Sequence, residues 1–280
     1  MERLLMGDFR QALRSLRSRP GFLVTAVLTL ALGIGANTAV FSAVLAVLLR
    51  PLPFPDSDRL AVLWMKTPDG EKRPISVRAF QMWREQNRSF EQMALLAGWF
   101  FTVKNGDSVE QVLGGRVSAN LFPLLGAQPL HGRLFLAGED DASAPRVAVL
   151  SHSLWQRRFA GDRSVLGQPI SMNGEVYTVV GVLPPGFTIF AVPMEVWVPL
   201  VSDKGFGLDH HRSVAVARLR SGAGIAQAEA DMTRVAARFG EVIPSLRRWG
   251  VIVTTLHEEL TGKVEAGLWT LQGAVVLVLL

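Results

Sequence analysis

The sequence predicts a membrane-anchored α+β protein: an N-terminal transmembrane helix, a mixed α/β extracytoplasmic domain, and the start of a second transmembrane helix. Three observations carry this expectation. Pro20 to Leu49 is a run of thirty residues without a charge, bounded by Arg19 and Arg50. Pro51-Leu52-Pro53-Phe54-Pro55 then stops any continuing helix, because proline lacks a backbone donor and turns the residue before it away from helical angles. The residues from 56 to about 260 mix short apolar strands, hairpin signals and short helices, before Gly267–Leu280 becomes uncharged and apolar again.

The first apolar run would extend ~45 Å as a helix, against a bilayer core of ~30 Å. A cleaved signal peptide is the alternative, but its apolar core runs only ~7–15 residues. Arg3, Arg10, Arg14, Arg17 and Arg19 precede the run, whereas Arg50, Arg59 and Lys66 follow it diluted by Asp56 and Asp58. The positive-inside rule therefore places the N-terminus in the cytoplasm and residues 51 to about 260 outside. Leu4, Leu5, Phe9, Ala12, Leu13 and Leu16 recur at helical spacing opposite Arg10, Arg14 and Arg17. This reads as an amphipathic helix on the cytoplasmic membrane face, or else as a basic topogenic flank. Within the span, Ala31, Gly35, Ala39 and Ala43 lie four apart and would form one stripe of small side chains for helix packing. Asn37, the one amide there, would seek an interhelical hydrogen bond or the outer interface. The alternative is that small residues are simply common in membrane helices.

In the following domain Leu60–Lys66 reads as an apolar strand, and Ser76 can cap a helix to about Asn87 that carries Phe80, Trp83 and Arg84. Leu95–Val103 and Val109–Val117 flank Asn105-Gly106-Asp107, a hairpin signal. Val147–Leu150 is a buried-type strand, and Ser151 can cap a helix to Phe159. Ile170–Met172 and Glu175–Leu183 flank Asn173-Gly174, the strongest hairpin signal in the chain. Val196–Leu200, Val214–Leu219 and Val251–Leu256 are further strands. Ile225, Ala228, Met232, Val235 and Phe239 define one face of a helix that Gly240 should end. Interleaved strands and helices with hairpins predict a mixed sheet, with two lobes divided near 95–110 and 205–215 as one possible arrangement.

Charge and composition exclude several classes of function. The net charge of +5 is concentrated in residues 1–50, where six arginines face Glu2 and Asp8, so there is no general nucleic-acid surface. The chain has no Cys, hence neither a disulfide framework nor a thiolate metal site. It lacks the phosphate-binding Gly-x-x-x-x-Gly-Lys-Ser/Thr pattern and should not hydrolyse ATP. It has no Gly-x-Ser-x-Gly and no His-Glu-x-x-His. His210-His211 are adjacent, and neighbours share neither a helix face nor a strand face, which makes two-point metal binding awkward. Ser151-His152 reads as a helix start, His257-Glu258-Glu259 as the solvated start of the second helix, and Trp83, Trp155 and Trp197 as core. No catalytic, cofactor-binding or metal residue is expected.

The residues Ala31-Leu32-Gly33-Ile34-Gly35-Ala36-Asn37-Thr38-Ala39-Val40-Phe41-Ser42 resemble the first-helix signature of MacB/FtsX-type ABC transporter permeases. With the basic prelude Phe9-Arg10-Gln11-Ala12-Leu13-Arg14 they are most similar to the acidobacterial duplicated orphan permeases. The outer segment resembles a MacB-like periplasmic core domain. The ordered matches are Val117-Ser118-Ala119-Asn120-Leu121-Phe122, Leu125-Gly126, Pro129, Gly132-Arg133 and Glu139-Asp140. They continue through Val147-Ala148-Val149-Leu150-Ser151, Leu154-Trp155, Arg158-Phe159, Gly167, Asn173-Gly174, Tyr177-Thr178-Val179-Val180-Gly181-Val182 and Pro184. The resemblance implies a permease subunit of a bacterial inner-membrane export or mechanotransmission system. It also implies a separate or fused ATPase, a second permease half or a homodimer, contact with membrane lipid, and no nucleic acid. A membrane-tethered extracytoplasmic binding or sensor module without transport is the alternative reading, and a tethered hydrolase a third that the missing motifs disfavour. The expected division is 1–19 cytoplasmic amphipathic helix, 20–50 first transmembrane helix, 51–262 periplasmic core domain, and 263–280 the start of a second transmembrane helix. Gly267–Leu280 would reach only ~21 Å as a helix. Family members have two further helices, and the sequence is expected to be truncated.

The orientation is open to a direct test. Single cysteines at Ser15 and Ser108, probed with an impermeant thiol reagent on intact spheroplasts, should give labelling at position 108 only. Labelling at position 15 alone would reverse the topology.

Overall fold

The computed structural model describes residues 20–48, 52–105, 108–190, 192–201, 212–243 and 246–262, with residues 267, 270 and 273. The amphipathic stretch at 4–17, the turn residues Gly106 and Asp107, His210-His211 and most of the second apolar run lie outside the described residues. So does residues 205–211 of the expected second lobe boundary.

Helix α1, Pro20–Leu48, is one uninterrupted element of 29 residues. At 1.5 Å per residue it extends ~43 Å, enough to cross a bilayer core. Phe22, Leu32, Ile34 and Phe41 are each more than half exposed, as an apolar helix meant for lipid requires. The hydroxyls of Thr25 and Thr29 donate to the carbonyls of Gly21 and Thr25, both at 2.9 Å, so neither is left unpaired along the span. Among the described residues this is the one helix long and apolar enough to cross a membrane.

Leu52–Leu260 forms a separate compact unit. Its strands are β1 Leu60–Lys66, β2 Lys72–Arg73, β3 Phe90–Asn105, β4 Ser108–Val117, β5 His131–Gly132 and β6 Val147–Leu150. They continue with β7 Pro169–Met172, β8 Glu175–Val182, β9 Val196–Pro199, β10 Ser213–Leu219 and β11 Gly250–Thr255. All join one mixed sheet in the order β11-β1-β10-β3-β4-β9-β6-β8-β5, with β2 on β1 and β7 bridging β3 and β8. The β4–β9 and β6–β8 pairs are parallel and the others antiparallel. Of the expected lobe boundary near 95–110, residues 108–110 open β4 and residues 95–105 lie within β3, which starts five residues earlier than the sequence indicated. That strand pairs with β10 over Phe90–Ala97 and with β7 at Val103–Lys104, so the sheet passes through the point unbroken.

Helices cover the sheet. They are α2 Val77–Gln86, α3 Leu121–Leu125, α4 His152–Phe159 and α5 Ile225–Val242. A last helix, α6, begins at 256 and runs through 262. Ser76 caps α2 by accepting from Ala79 N, and Ser151 caps α4 by accepting from Leu154 N. On one face of β11-β1-β10-β3, Phe80 and Trp83 of α2 meet Ala228, Met232 and Val235 of α5. The opposite face holds Leu60, Val62, Val216, Leu121, Phe122 and Trp197. A third cluster packs Leu154 and Trp155 of α4 on β6, β8 and β9. Asp231 of α5 accepts from the backbone N of Arg88 and Ser89 at 2.7 and 3.2 Å, tying α5 to the segment ahead of β3. Burial works to raise its carboxyl pKa, yet these bonds and the Arg234 guanidinium hold it below the ordinary value.

Gly240 does not end α5, which continues to Val242. A Cβ at Gly240 would stand 2.6 Å from the Cα of Arg247. The glycine is there because the returning chain passes against the helix, and its role is close approach rather than termination. Two effects compete in Gly240→Ala. Helix propensity favours alanine by about 1 kcal/mol, while displacing packed backbone costs about 1–3 kcal/mol. The substitution should therefore lower the thermal unfolding temperature; a rise would mean that the 243–249 return yields freely.

Candidate functional site

The two connections of this domain come together at one place in the sheet. β1 is the first strand and β11 the last, and they are antiparallel neighbours, with Ala61 opposite Thr255 and Lys66 opposite Gly250. The chain therefore arrives and departs side by side, at the same end of two paired strands.

The incoming segment is fastened by three kinds of contact. Phe54 sits edge-on to Phe187, ring centroids 6.3 Å apart, and Phe187 in turn packs on Phe122 and Trp197 at 5.8 and 6.0 Å. Pro55 lies over Gly126, the left-handed residue (φ 66°) that closes α3, and a Cβ there would be 2.8 Å from Pro55 Cγ. Arg218 of β10 is buried, 8% exposed. It donates to Leu124 O through Nε at 3.2 Å and Nη2 at 2.7 Å, to Pro55 O through Nη2 at 3.1 Å, and to Asp56 O through Nη1 at 3.3 Å. Arg59 adds a second attachment, donating to Leu219 O through Nε and Nη2 at 3.0 and 2.6 Å and to Glu91 at 2.7 Å. A buried guanidinium needs such partners, because its desolvation is offset only when its donors are engaged.

The outgoing segment has no loop. β11 ends at Thr255 and α6 begins at 256. Thr255 Oγ1 accepts from Glu258 N at 3.0 Å, the bond of an N-cap to its third helical residue. Leu256 is fully buried and Leu260 packs on the same cluster as Leu52 and Phe54. Glu259 departs from the expected solvated helix start. Its side chain is only 13% exposed and lies 2.6 Å from Lys72 Nζ of β2. Thr254 Oγ1 also donates to it at 3.2 Å. Glu258 does face solvent.

Small-molecule chemistry has less to work with. A cavity of about 140 Å³ is lined by Arg116, Arg146, Tyr177, Glu139 and Glu175 among others. Its carboxylates are engaged: Glu175 accepts two bonds from Arg146, at 3.1 and 2.8 Å, and Glu139 two from Arg133, at 3.0 and 2.7 Å. Burial, then the hydrogen bond to Glu175, pushes the Tyr177 phenol up to about 12, so it stays a donor. Ser151 Oγ is committed to its cap and to Ser153 at 2.9 Å, while His152 stands edge-on to Trp155 at 5.6 Å; they are not a nucleophile and its base. Trp83, Trp155 and Trp197 are buried, as expected of core. Among the described residues no three His, Cys, Asp or Glu side chains are placed to hold a metal ion.

The packing residues expected from the sequence all lie on α1. Ala31, Gly35 and Ala39 are exposed, nothing stands within 4 Å of where a Gly35 Cβ would be, Asn37 is half-buried, and Ala43 is on the same helix. The fastening residues Phe54, Arg59, Gly126 and Arg218 were not singled out for function. The available signal was Arg218 itself, a charge within the otherwise apolar strand Val214–Leu219.

Comparison with known proteins supplies the family. A family model described as the MacB-like periplasmic core domain matches residues 23–235. A solved domain assigned to a permease protein from Porphyromonas gingivalis is 16% identical, with 73% of this chain and 92% of that one covered at a TM-score of 0.54. The periplasmic region of MacB from Actinobacillus actinomycetemcomitans is 12% identical, with 75% and 94% covered at a TM-score of 0.57. At such identities the likeness speaks for the fold, and no curated protein matches the sequence. With one apolar helix leading into a mixed-sheet domain that the family model matches, this chain belongs to the MacB-like periplasmic core domain family and is a permease component of the ABC-transporter type.

Proposed function

We propose that the chain is the permease subunit of an export or mechanotransmission system, conveying the work of a cytoplasmic ATPase to an extracytoplasmic domain. The ATPase is proposed to be of the ABC type, a separate subunit or a fused one; residues 1–280 themselves carry no phosphate-binding loop. The carrying observation is the pairing of β1 with β11, which puts both chain connections on adjacent strands, the outgoing one passing from strand to helix without a loop and the incoming one fastened to the sheet by Arg218 and Arg59. A displacement of a membrane helix would then reach the sheet instead of being absorbed by a loop. The proposed setting is the bacterial inner membrane, N-terminus inside, with 1–19 on the cytoplasmic face, 20–50 and 263–280 in the bilayer, and 51–262 outside. The Ala31/Gly35/Ala39/Ala43 stripe, with Asn37, is proposed to pack against another transmembrane helix, in a second permease half or a second copy. The alternative is a tethered extracytoplasmic binding or sensor module, and the polar cavity beside Arg116 and Tyr177 is the feature that favours it.

Two experiments in the complete protein with its ATPase test this reading. A flexible Gly/Ser insertion between Leu260 and Gly267 should uncouple ATP hydrolysis from transport or its physiological readout while the domain stays folded; full coupling with a long insertion would favour the tethered module. Gly35→Leu should weaken assembly of the membrane helices by blocking close approach, and unchanged assembly would reduce the stripe to composition.

A further inference from the structure

We propose that Arg218 is the positioning residue that stiffens the incoming connection, clasping residues 54–56 to the sheet so that a displacement of this segment passes to β10 and α3. The proposal rests on the permease reading and names the group on which transmission at this junction depends.

The sequence of the segment explains why a guanidinium is needed. Pro51, Pro53 and Pro55 have no backbone N–H, so the edge of the segment that they face has no donors for strand pairing. What it offers is carbonyl oxygens. Arginine presents five donors in a rigid fork and no acceptor, the complement of a proline-rich chain. Arg218 uses that fork across three elements at once: its own strand β10, the last turn of α3 at Leu124 O, and the segment at Pro55 O and Asp56 O. It occupies a position on the same side of β10 as Val214 and Val216, which are core residues, so a charge there has no packing rationale. The clasp also holds Asp56 in the left-handed region, φ 47° and ψ 46°, a conformation that a non-glycine residue keeps only when its surroundings impose it. Through α3 the contact continues into the sheet, because Asn120 donates to Met93 O at 3.0 Å and Ser118 Oγ accepts from Leu95 N at 2.9 Å.

The test reads amide hydrogen exchange of the 280-residue chain in nanodiscs. Arg218→Met should accelerate exchange across 54–60 by at least about tenfold while β3 and β10 keep their protection. Arg218→Lys, a point charge without the fork, should fall between the two. A covalent pin then asks whether position alone matters. Pro55 Cβ lies 3.7 Å from where a Cβ at position 126 would stand, within the ~3.5–4.5 Å of a disulfide, and the chain has no other Cys. Pro55→Cys with Gly126→Cys in the Arg218→Met background should restore slow exchange when oxidised and lose it on reduction. Unchanged exchange in Arg218→Met, wild-type exchange in Arg218→Lys, or a domain-wide rise that the pin does not reverse would each overturn the clasp. Exchange is read without an ATPase or cargo, so these outcomes refute the clasp alone, whereas coupling that survives the Leu260–Gly267 insertion refutes transmission.

Discussion

The antiparallel pairing of β1 with β11 is the constraint on which the rest of the domain depends. It joins the first strand of the extracytoplasmic unit to the last, six residue pairs long, from Ala61–Thr255 to Lys66–Gly250. Every intervening element must therefore leave this pair and return to it. The chain does so by placing β10 on the other side of β1 and then β3 beyond β10, so that a strand from late in the sequence separates two early ones. Such non-local pairing is slow to form, since the closing entropy comes before the contacts. Once formed, it brings both connections to one point and makes a single unit of Leu52–Leu260.

Attachment at that point uses two unlike solutions to one problem. The outgoing side keeps backbone hydrogen bonding continuous by letting a strand run directly into a capped helix at Thr255. Lys72 and Glu259 add an ion pair at the junction, which being partly exposed contributes about 0–1 kcal/mol and serves direction more than strength. The incoming side has prolines at alternate positions, which leave one of its edges without donors for backbone pairing. It relies on side chains instead, the Phe54 ring within the Phe187–Phe122–Trp197 cluster and the Arg218 and Arg59 guanidinia on carbonyl oxygens. Both solutions hold the residues next to the sheet by direct hydrogen bonds and packing.

What could be read from the sequence was local. Asn173-Gly174 announced its hairpin because both residues accept positive φ, and they adopt 52° and 81° with Met172 opposite Glu175. Ser76 and Ser151 announced their helices by capping chemistry, and the 225–235 face of α5 by its 3.6-residue period. The family resemblance was equally legible, carried by short ordered motifs that the family model also spans. Strand order was not legible, because the insertion of β10 between β1 and β3 leaves no trace in periodicity. Gly240 misled for a related reason: a glycine that stops a helix and one that makes room for passing backbone are spelled alike, and only Arg247 distinguishes them. Glu259 read as solvated because its partner Lys72 is 187 residues away. Of the connection, the proline run was plain, but the residues that hold it come from positions 59, 126, 187 and 218, which no local window unites.

The proposed transmission of force accounts for this distribution of legibility. A catalytic centre tends to leave a compact spelling, because a nucleophile, its base and its oxyanion donors require particular residue types at short spacings. Stiffness has no such spelling. It arises wherever backbone and side-chain donors meet acceptors across long loops, and arginine on a carbonyl is chemically as ordinary as any surface contact until its burial is known. The informative sequence feature is then a charge that breaks an apolar strand for no local reason. Arg218 satisfies that criterion in Val214–Leu219; Arg116 lies in β4, which also carries Glu110 and Gln111, and there only burial reveals the guanidinium that stacks 4.9 Å above Trp99. In both cases the cation sits where strands from distant parts of the chain converge, which is where a transmitting sheet has most need of a directional contact.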